Sequence, residues 1–298
     1  MSGSVNVTLE EVFVRDPTGR LFSPSGFGDA FWERYLKVFD RVVIVARVRS
    51  GDGEAGMAPV NLPGVNLHPV PAYQRAIGYV RARAAVGRAL MAAANLSGAH
   101  IVRLPGLLGG RIAQERMRRG RPFAVELVGD PADVFSVGGV GGSLAPLYKA
   151  FFVSATRRAC AAAAAVAYVT RATLQRSYPP MPDGFTTHFS SVALGPNDFL
   201  ESANRNIREE GPFTLFAAGS MEQLYKGFDV LIRSLEPVTR SELAVTLRIA
   251  GDGRYRSQLE SLAATSSVEF LGRRSRDEVL QEMRDCDLFV MPSRTEGL

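Results

Sequence analysis

Four apolar runs in the last third of the chain, over residues 213–218, 244–250, 268–271 and 288–291, are separated by three stretches with helical patterning, over 228–235, 255–264 and 277–284. Strands that alternate with helices in this way run parallel, because a crossover is needed to return the chain to the same end of a sheet. The pattern predicts the start of a doubly wound α/β domain, whose ligands sit beyond the carboxyl ends of the strands.

The first half repeats the theme less cleanly. Strands are expected over 5–14, 41–48, 100–104, 123–128 and 166–170, and Ala- and Arg-rich helices over 72–95 and 144–165. A Gly-Pro-Ser loop over 16–28 follows the first strand and leads to an aromatic helix start at Phe31, and a Pro-rich loop is expected over 179–184. At 298 residues the chain exceeds what one core comfortably organises. Two Rossmann-like domains are therefore expected, an N-terminal one over 1–195 and a C-terminal one over 196–298, with a hinge around 195–212.

Hydrophobic residues at 46% and charged residues at 22% are those of an ordinary globular protein. The start of the chain lacks the basic and apolar segments of a secretory signal, and the Ala-rich run over 159–170 is too short to span a bilayer. Cys160 and Cys286 match no metal or redox spacing, which points to a reducing, cytoplasmic setting. Charge is unevenly spread: residues 1–190 carry 22 Lys/Arg against 13 Asp/Glu, and the remainder carries 13 against 17. Much of the excess lies in Arg75, Arg81, Arg83, Arg88, Arg103, Arg111, Arg116, Arg118, Arg119 and Arg121. Such a cluster is either a solvated helix face or a surface for anionic lipid or a phosphorylated acceptor. Nucleic acid is not expected, since no aromatic residues interleave with the arginines to stack bases.

Several motif matches fail on context. The glycines over 51–56 fit a dinucleotide fingerprint, yet Pro59 and Pro63 stand where a helix has to begin. Asp285-Cys286-Asp287 fits a metal-holding DxD pattern, but its apolar strand follows the aspartates instead of preceding them, so no metal is expected. His68, His100 and His188 are isolated, and the glycines over 138–142 read as a loop. Two positions fit the chemistry of the carboxyl rim better. Lys226 follows the strand ending Ala217-Ala218-Gly219-Ser220 and precedes a helix, which projects its ammonium toward a helix N-terminus where phosphates collect. Glu296 lies five residues past the fourth strand, where a carboxylate can accept hydrogen bonds from sugar hydroxyls.

Together these blocks resemble glycosyltransferase family 4, the large family of retaining enzymes with the two-Rossmann-domain GT-B fold. The resemblance runs through Ala218-Gly219-Ser220 with Tyr225-Lys226-Gly227-Phe228-Asp229, Leu247-Arg248-Ile249-Ala250-Gly251-Asp252-Gly253, Val268-Glu269-Phe270-Leu271-Gly272, and Asp287 to Gly297. It covers 213–298 well and the first half only in outline, through Val125-Glu126-Leu127-Val128-Gly129-Asp130 and Tyr168-Val169-Thr170. By resemblance, Lys226 grips the donor diphosphate and Glu296 contacts the transferred sugar. Gly219, Ser220 and Gly251 line the donor site, Gly272 and Arg273 form the turn that receives the nucleobase, and Asp130 approaches the donor from the first domain. Two departures stand out: Ser220 occupies a position where many members have an arginine, and the chain stops before the family's second glutamate, leaving the donor domain incomplete.

The resemblance implies a hexosyltransferase that moves a sugar from a nucleoside-diphosphate sugar to a carbohydrate or glycolipid acceptor. Retention, independence of metal and of any cofactor, and a cytoplasmic location peripheral to the inner face of an anionic membrane are the accompanying expectations. A sugar-nucleotide epimerase on the same scaffold and a non-catalytic nucleotide-sugar binder are the alternatives.

Overall fold

The computed structural model describes residues 3–23, 26–53, 57–73, 75–134, 145–190, 198–199, 211–239, 243–264 and 267–294. In chain order the strands are β1 (Ser4–Arg15), β2 (Leu21–Ser23), β3 (Arg41–Ser50), β4 (Ala58–Val60), β5 (Val65–Pro71), β6 (Ala99–Leu104), β7 (Ala124–Leu127), β8 (Ala165–Tyr168), β9 (Phe185–His188), β10 (Phe213–Ala218), β11 (Val245–Ala250), β12 (Val268–Gly272) and β13 (Leu288–Phe289). The helices are α1 (Asp29–Leu36), α2 (Arg75–Ala94), α3 (Leu107–Arg118), α4 (Pro131–Val134), α5 (Ala145–Ala162), α6 (Thr173–Ser177), α7 (Phe228–Ser234), α8 (Glu236–Thr239), α9 (Arg256–Leu262) and α10 (Arg276–Asp285). They divide into two compact units, one built on β1–β9 and the other on β10–β13.

The first unit is an α/β sheet whose parallel strands run in the order β5-β3-β1-β6-β7-β8-β9. Strands β2 and β4 extend it antiparallel at the far end of β1. Val5, Val7, Leu9 and Phe13 lie on one face of β1. They pack with Val42 and Ile44 of β3 against Trp32 and Tyr35 of α1. The opposite face buries Val102, Leu104, Val125 and Leu127 under Leu90 of α2, Leu108 and Ile112 of α3 and Ala159 of α5. Each Val, Leu, Ile or Phe among them contributes about 1.5–3 kcal/mol when fully buried. Pairing of β1 with β3 jumps from Thr8↔Val45 to Val12↔Arg47, so three residues of β1 face one of β3. Glu10 leaves the strand in this bulge, and its buried carboxyl accepts the Leu108 N–H at the start of α3. Burial pushes that carboxyl above its ordinary range.

A polar seam also lies inside this unit. Asn6, Thr8 and His100 are almost wholly buried on the face covered by α2 and α3. Asn6 donates to the Ser97 and Ala99 carbonyls at 2.9 and 3.1 Å, and His100 Nε2 lies 3.1 Å from the Leu96 carbonyl. Two arginines of the basic cluster are not surface charges. Arg116 is 4% exposed and donates to the carbonyls of Ala94 and Pro122, satisfying the end of α2. Arg103 is mostly buried, 3.7 Å from the Glu126 carboxylate. Arg81, Arg83 and Arg88 are exposed, as are Lys149, Arg157 and Arg158 of α5.

The second unit is the doubly wound sheet expected for it, in the order β12-β11-β10-β13 with every pairing parallel. Leu247 and Ile249 of β11 and Ala217 of β10 pack under Phe228, Leu231 and Ile232 of α7 and Leu259 of α9. Phe216, Ala250 and Cys286 form a smaller cluster on the other face. Helix α10 starts on a capping box: the Ser275 hydroxyl accepts the Glu278 N–H, and Glu278 accepts the Ser275 N–H at 2.7 Å.

Elements that the sequence pattern does not reveal are chiefly β5, α3, the β2–β4 pair and β9. After the glycines at 51–53 the next element is the strand β4, not the helix a dinucleotide fingerprint demands. The boundary expected at 195/196, most of the hinge over 195–212 and the glycines over 138–142 fall outside the described residues.

Candidate functional site

All four strands of the second unit point their carboxyl ends to one edge, and the loops leaving them carry the expected site residues. Strand β10 ends at Ala218, and its continuation is zipped to the loop after β11. Gly219 donates to the Ala250 carbonyl at 2.9 Å, Met221 to Asp252 at 2.9 Å, and Tyr255 to Met221 at 3.1 Å. The Gly251 N–H in turn donates to the Gly272 carbonyl at 2.8 Å, bringing in the loop after β12. Gly219, Gly251 and Gly272 thus lie side by side along the rim, with bare backbone where side chains would otherwise stand.

Lys226 closes a short 3₁₀ turn, Leu224–Lys226, and Gly227 follows with φ 72°, a left-handed conformation that lets the chain reverse into α7. The lysine stem lies across Gly219: a Cβ there would be 3.3 Å from Lys226 Cγ and 3.4 Å from Cδ. Its Nζ is 5.1 Å from the centre of the Tyr225 ring. The Ser220 hydroxyl accepts the Glu222 N–H at 3.2 Å, a local turn contact. Helix α7 has only seven residues. A long helix dipole at this point is therefore not available, and charge at the rim comes from side chains.

Arg273 follows Gly272 and is exposed. The guanidinium beside Gly272 belongs instead to Arg256, whose Nη1 would be 3.4 Å from a Cβ at that glycine. Arg254 bridges two rim loops, donating to the Glu222 carbonyl at 2.8 Å and to Gln223 Oε1 at 3.0 Å. Neither arginine is flagged by the sequence pattern, because their contacts depend on how β11 pairs with β10 and with β12. Asp287 sits at the opposite, amino edge, where its carboxylate accepts the Thr214 N–H at 2.8 Å. Among the described residues no group of three or more His, Cys, Asp or Glu gathers as metal ligands do.

Asp130 lies in the first unit, past the carboxyl end of β7. Its Oδ1 accepts the Ala132 N–H at 2.7 Å and the hydroxyl of Tyr178, while Tyr168 donates to the Tyr178 carbonyl at 2.7 Å. This carboxylate has a clear structural task at the start of α4. Glu296 falls outside the described residues, but the loop that leads to it does not. Arg294 reaches back from that loop to Asp229 of α7 with nitrogen–oxygen distances of 2.9 and 2.7 Å. The sequence gives no signal for this pair.

Residues 212–298 match the family described as glycosyl transferases group 1. A stretch of 74 residues is 38% identical to a GDP-mannose-dependent monoacylated alpha-(1-6)-phosphatidylinositol monomannoside mannosyltransferase of Corynebacterium glutamicum, covering 24% of this chain and 19% of that protein. Residues 212–298 thus belong to the group 1 glycosyltransferases. Over 277 residues the chain is also 25% identical to Protein CapJ of Staphylococcus aureus, a match that spans 91% of the chain and 68% of that relative. The solved structure of sucrose-phosphate synthase from Thermosynechococcus elongatus superposes with a TM-score of 0.66 at 11% identity, over 99% of this chain and 77% of that one. Likeness at that level of identity is a likeness of fold, and the fold is GT-B.

Proposed function

We propose that this chain is a group 1 glycosyltransferase that moves a hexosyl residue from a nucleoside-diphosphate sugar to a carbohydrate or glycolipid acceptor, with retention at the anomeric carbon and without a metal. The observation that carries the reading is the Lys226 stem laid over Gly219, at the rim where three glycine loops converge. Breaking the glycosidic bond of the donor leaves negative charge on the departing diphosphate. An ammonium held at this rim stabilises that charge as it develops. By the family resemblance Glu296 contacts the sugar being transferred. The Corynebacterium relative is named for its use of GDP-mannose, which supports a sugar nucleotide as donor here.

A glycolipid acceptor brings a membrane with it, and the first unit has a surface suited to one. Helices α2 and α5 contain no acidic residue, and α5 exposes Leu147 and Phe151 at 68% and 56% beside Lys149. Apolar side chains among cations favour anionic bilayer surfaces. Among the described residues no helix is long and apolar enough to cross a membrane, so the contact proposed is peripheral, at the cytoplasmic face.

The test is release of UDP or GDP from a panel of UDP- and GDP-sugars, with and without cell-envelope acceptors. Lys226→Ala should reduce the rate by about 100-fold or more. An undiminished rate in that variant overturns the assignment. Conversion of the donor to a second sugar nucleotide without acceptor would establish epimerisation in its place.

A further inference from the structure

One residue fastens the loop after β13 to the turn that carries Lys226. The Arg294 N–H donates to the Tyr225 carbonyl at 2.7 Å. Its guanidinium donates to the Leu224 carbonyl and, through two nitrogens, to both oxygens of Asp229. Leu224 and Tyr225 are the first two residues of the 3₁₀ turn whose third is Lys226, and Asp229 is the second residue of α7. The two segments also touch by shape: a Cβ at Gly227 would be 2.1 Å from the Pro292 carbonyl oxygen.

Stability alone does not account for this arrangement. The pair is partly open to solvent, with the side chains of Arg294 and Asp229 39% and 22% exposed, and such ion pairs add little to folding free energy. What a two-pronged guanidinium–carboxylate contact supplies is geometry, since both the plane and the distance are fixed. The Arg294 guanidinium also holds the Asp229 carboxyl below its usual range.

We infer that Arg294 is a positioning residue for the donor: its grip on Leu224, Tyr225 and Asp229 fixes the turn that aims Lys226 and sets that turn against the loop leading to Glu296. The inference rests on the reading of Lys226 as the cation that meets the donor diphosphate. Arg294 acts through Lys226 and touches no reacting atom.

A double-mutant cycle on the full chain separates this from a merely structural role. Affinities for UDP and for GDP are measured by titration calorimetry for wild type, Arg294→Ala, Lys226→Gln and the double variant, with melting temperature recorded for each. Arg294→Ala should weaken binding of the preferred nucleotide by about tenfold, as loss of aim does at preorganised sites, and should add almost nothing in the Lys226→Gln background. Arg294→Lys, which keeps charge but loses the fork, should fall between wild type and Arg294→Ala, and it serves if the alanine variant does not fold. Wild-type affinity in both Arg294 variants overturns the inference, and so do losses that simply add in the double variant. Wild-type affinity in Lys226→Gln alone overturns the reading of Lys226 instead, so the two failures are distinguishable.

Discussion

A Cβ on Gly251 would stand 1.9 Å from the carbonyl oxygen of Gly219. The glycine also holds φ at +150°, a conformation that side chains rarely adopt, so contact and conformation both demand the bare backbone. Gly251→Ala should destabilise the second unit by roughly 2–4 kcal/mol, seen as a fall in its melting temperature and loss of nucleotide binding. Gly87, in the middle of α2, has nothing within 4 Å of a Cβ position. Gly87→Ala should shift stability the other way, by about 0.5–1 kcal/mol. A melt in which both variants move in the same direction would contradict the geometry.

Gly219 presents a milder case. The groups that meet a Cβ there are the flexible stem of Lys226, at 3.3 and 3.4 Å, and the Phe228 ring at 3.2 Å. Gly219→Ala should leave the fold within about 1 kcal/mol of wild type while displacing the lysine, so the Michaelis constant for the donor rises several-fold. The measurement is steady-state kinetics beside a thermal melt; a large loss of stability with unchanged donor affinity would reverse the expectation.

Stability should fall on the acid side because of His100. Burial depresses its imidazole from 6.5 to about 4. The folded state therefore binds fewer protons than the unfolded one between those values. The stability this neutral histidine permits is complete above pH 6.5 and is lost progressively as pH falls toward 4. The full span is worth about 3 kcal/mol. Urea midpoints measured from pH 7 to pH 4.5 should decline in wild type and decline less in His100→Asn; parallel curves would sink the assignment.

The exposed apolar end of α5 should govern any membrane contact. Leu147→Ser with Phe151→Ser is expected to lower co-sedimentation with phosphatidylglycerol vesicles by about tenfold or more, without altering nucleotide affinity. Wild-type protein that binds neither phosphatidylglycerol nor mixed vesicles would remove the membrane from the proposed function.

The second unit was almost fully legible because its strands are short, apolar and bounded by Gly or Asp, so the alternation with helices survives every local irregularity. In the first unit Pro69 and Pro71 obscure β5, which sits at the edge of the parallel order where prolines are tolerated. Helix α3 was hidden by Gly109 and Gly110, although Leu108, Ile112 and Ala113 keep a helical spacing and are buried. At the rim, Lys226 and the glycine loops could be read from their place after strand ends. The Arg294–Asp229 pair could not, because its partners are 65 residues apart and meet only once β13 has docked beside β10. The burial of Arg116 and Arg103 escaped for the same reason: an arginine's role as a backbone cap or a pair inside a sheet depends on carbonyls and carboxylates from other elements.

The bulge in β1 has an arithmetic that bears on how this sheet tolerates insertion and deletion. Two residues beyond the count of β3 are absorbed between Thr8 and Val12, and side chains along a strand change face with every step. An even surplus leaves the parity intact, which is why Phe13 joins the same core as Val5, Val7 and Leu9. Removing both surplus residues would flatten the strand and free the Leu108 amide, yet keep Phe13 inside. Removing a single one would exchange the faces of Phe13 and Val14, both fully buried, and take the Phe13 ring out of the core it shares with Val5, Val7 and Leu9.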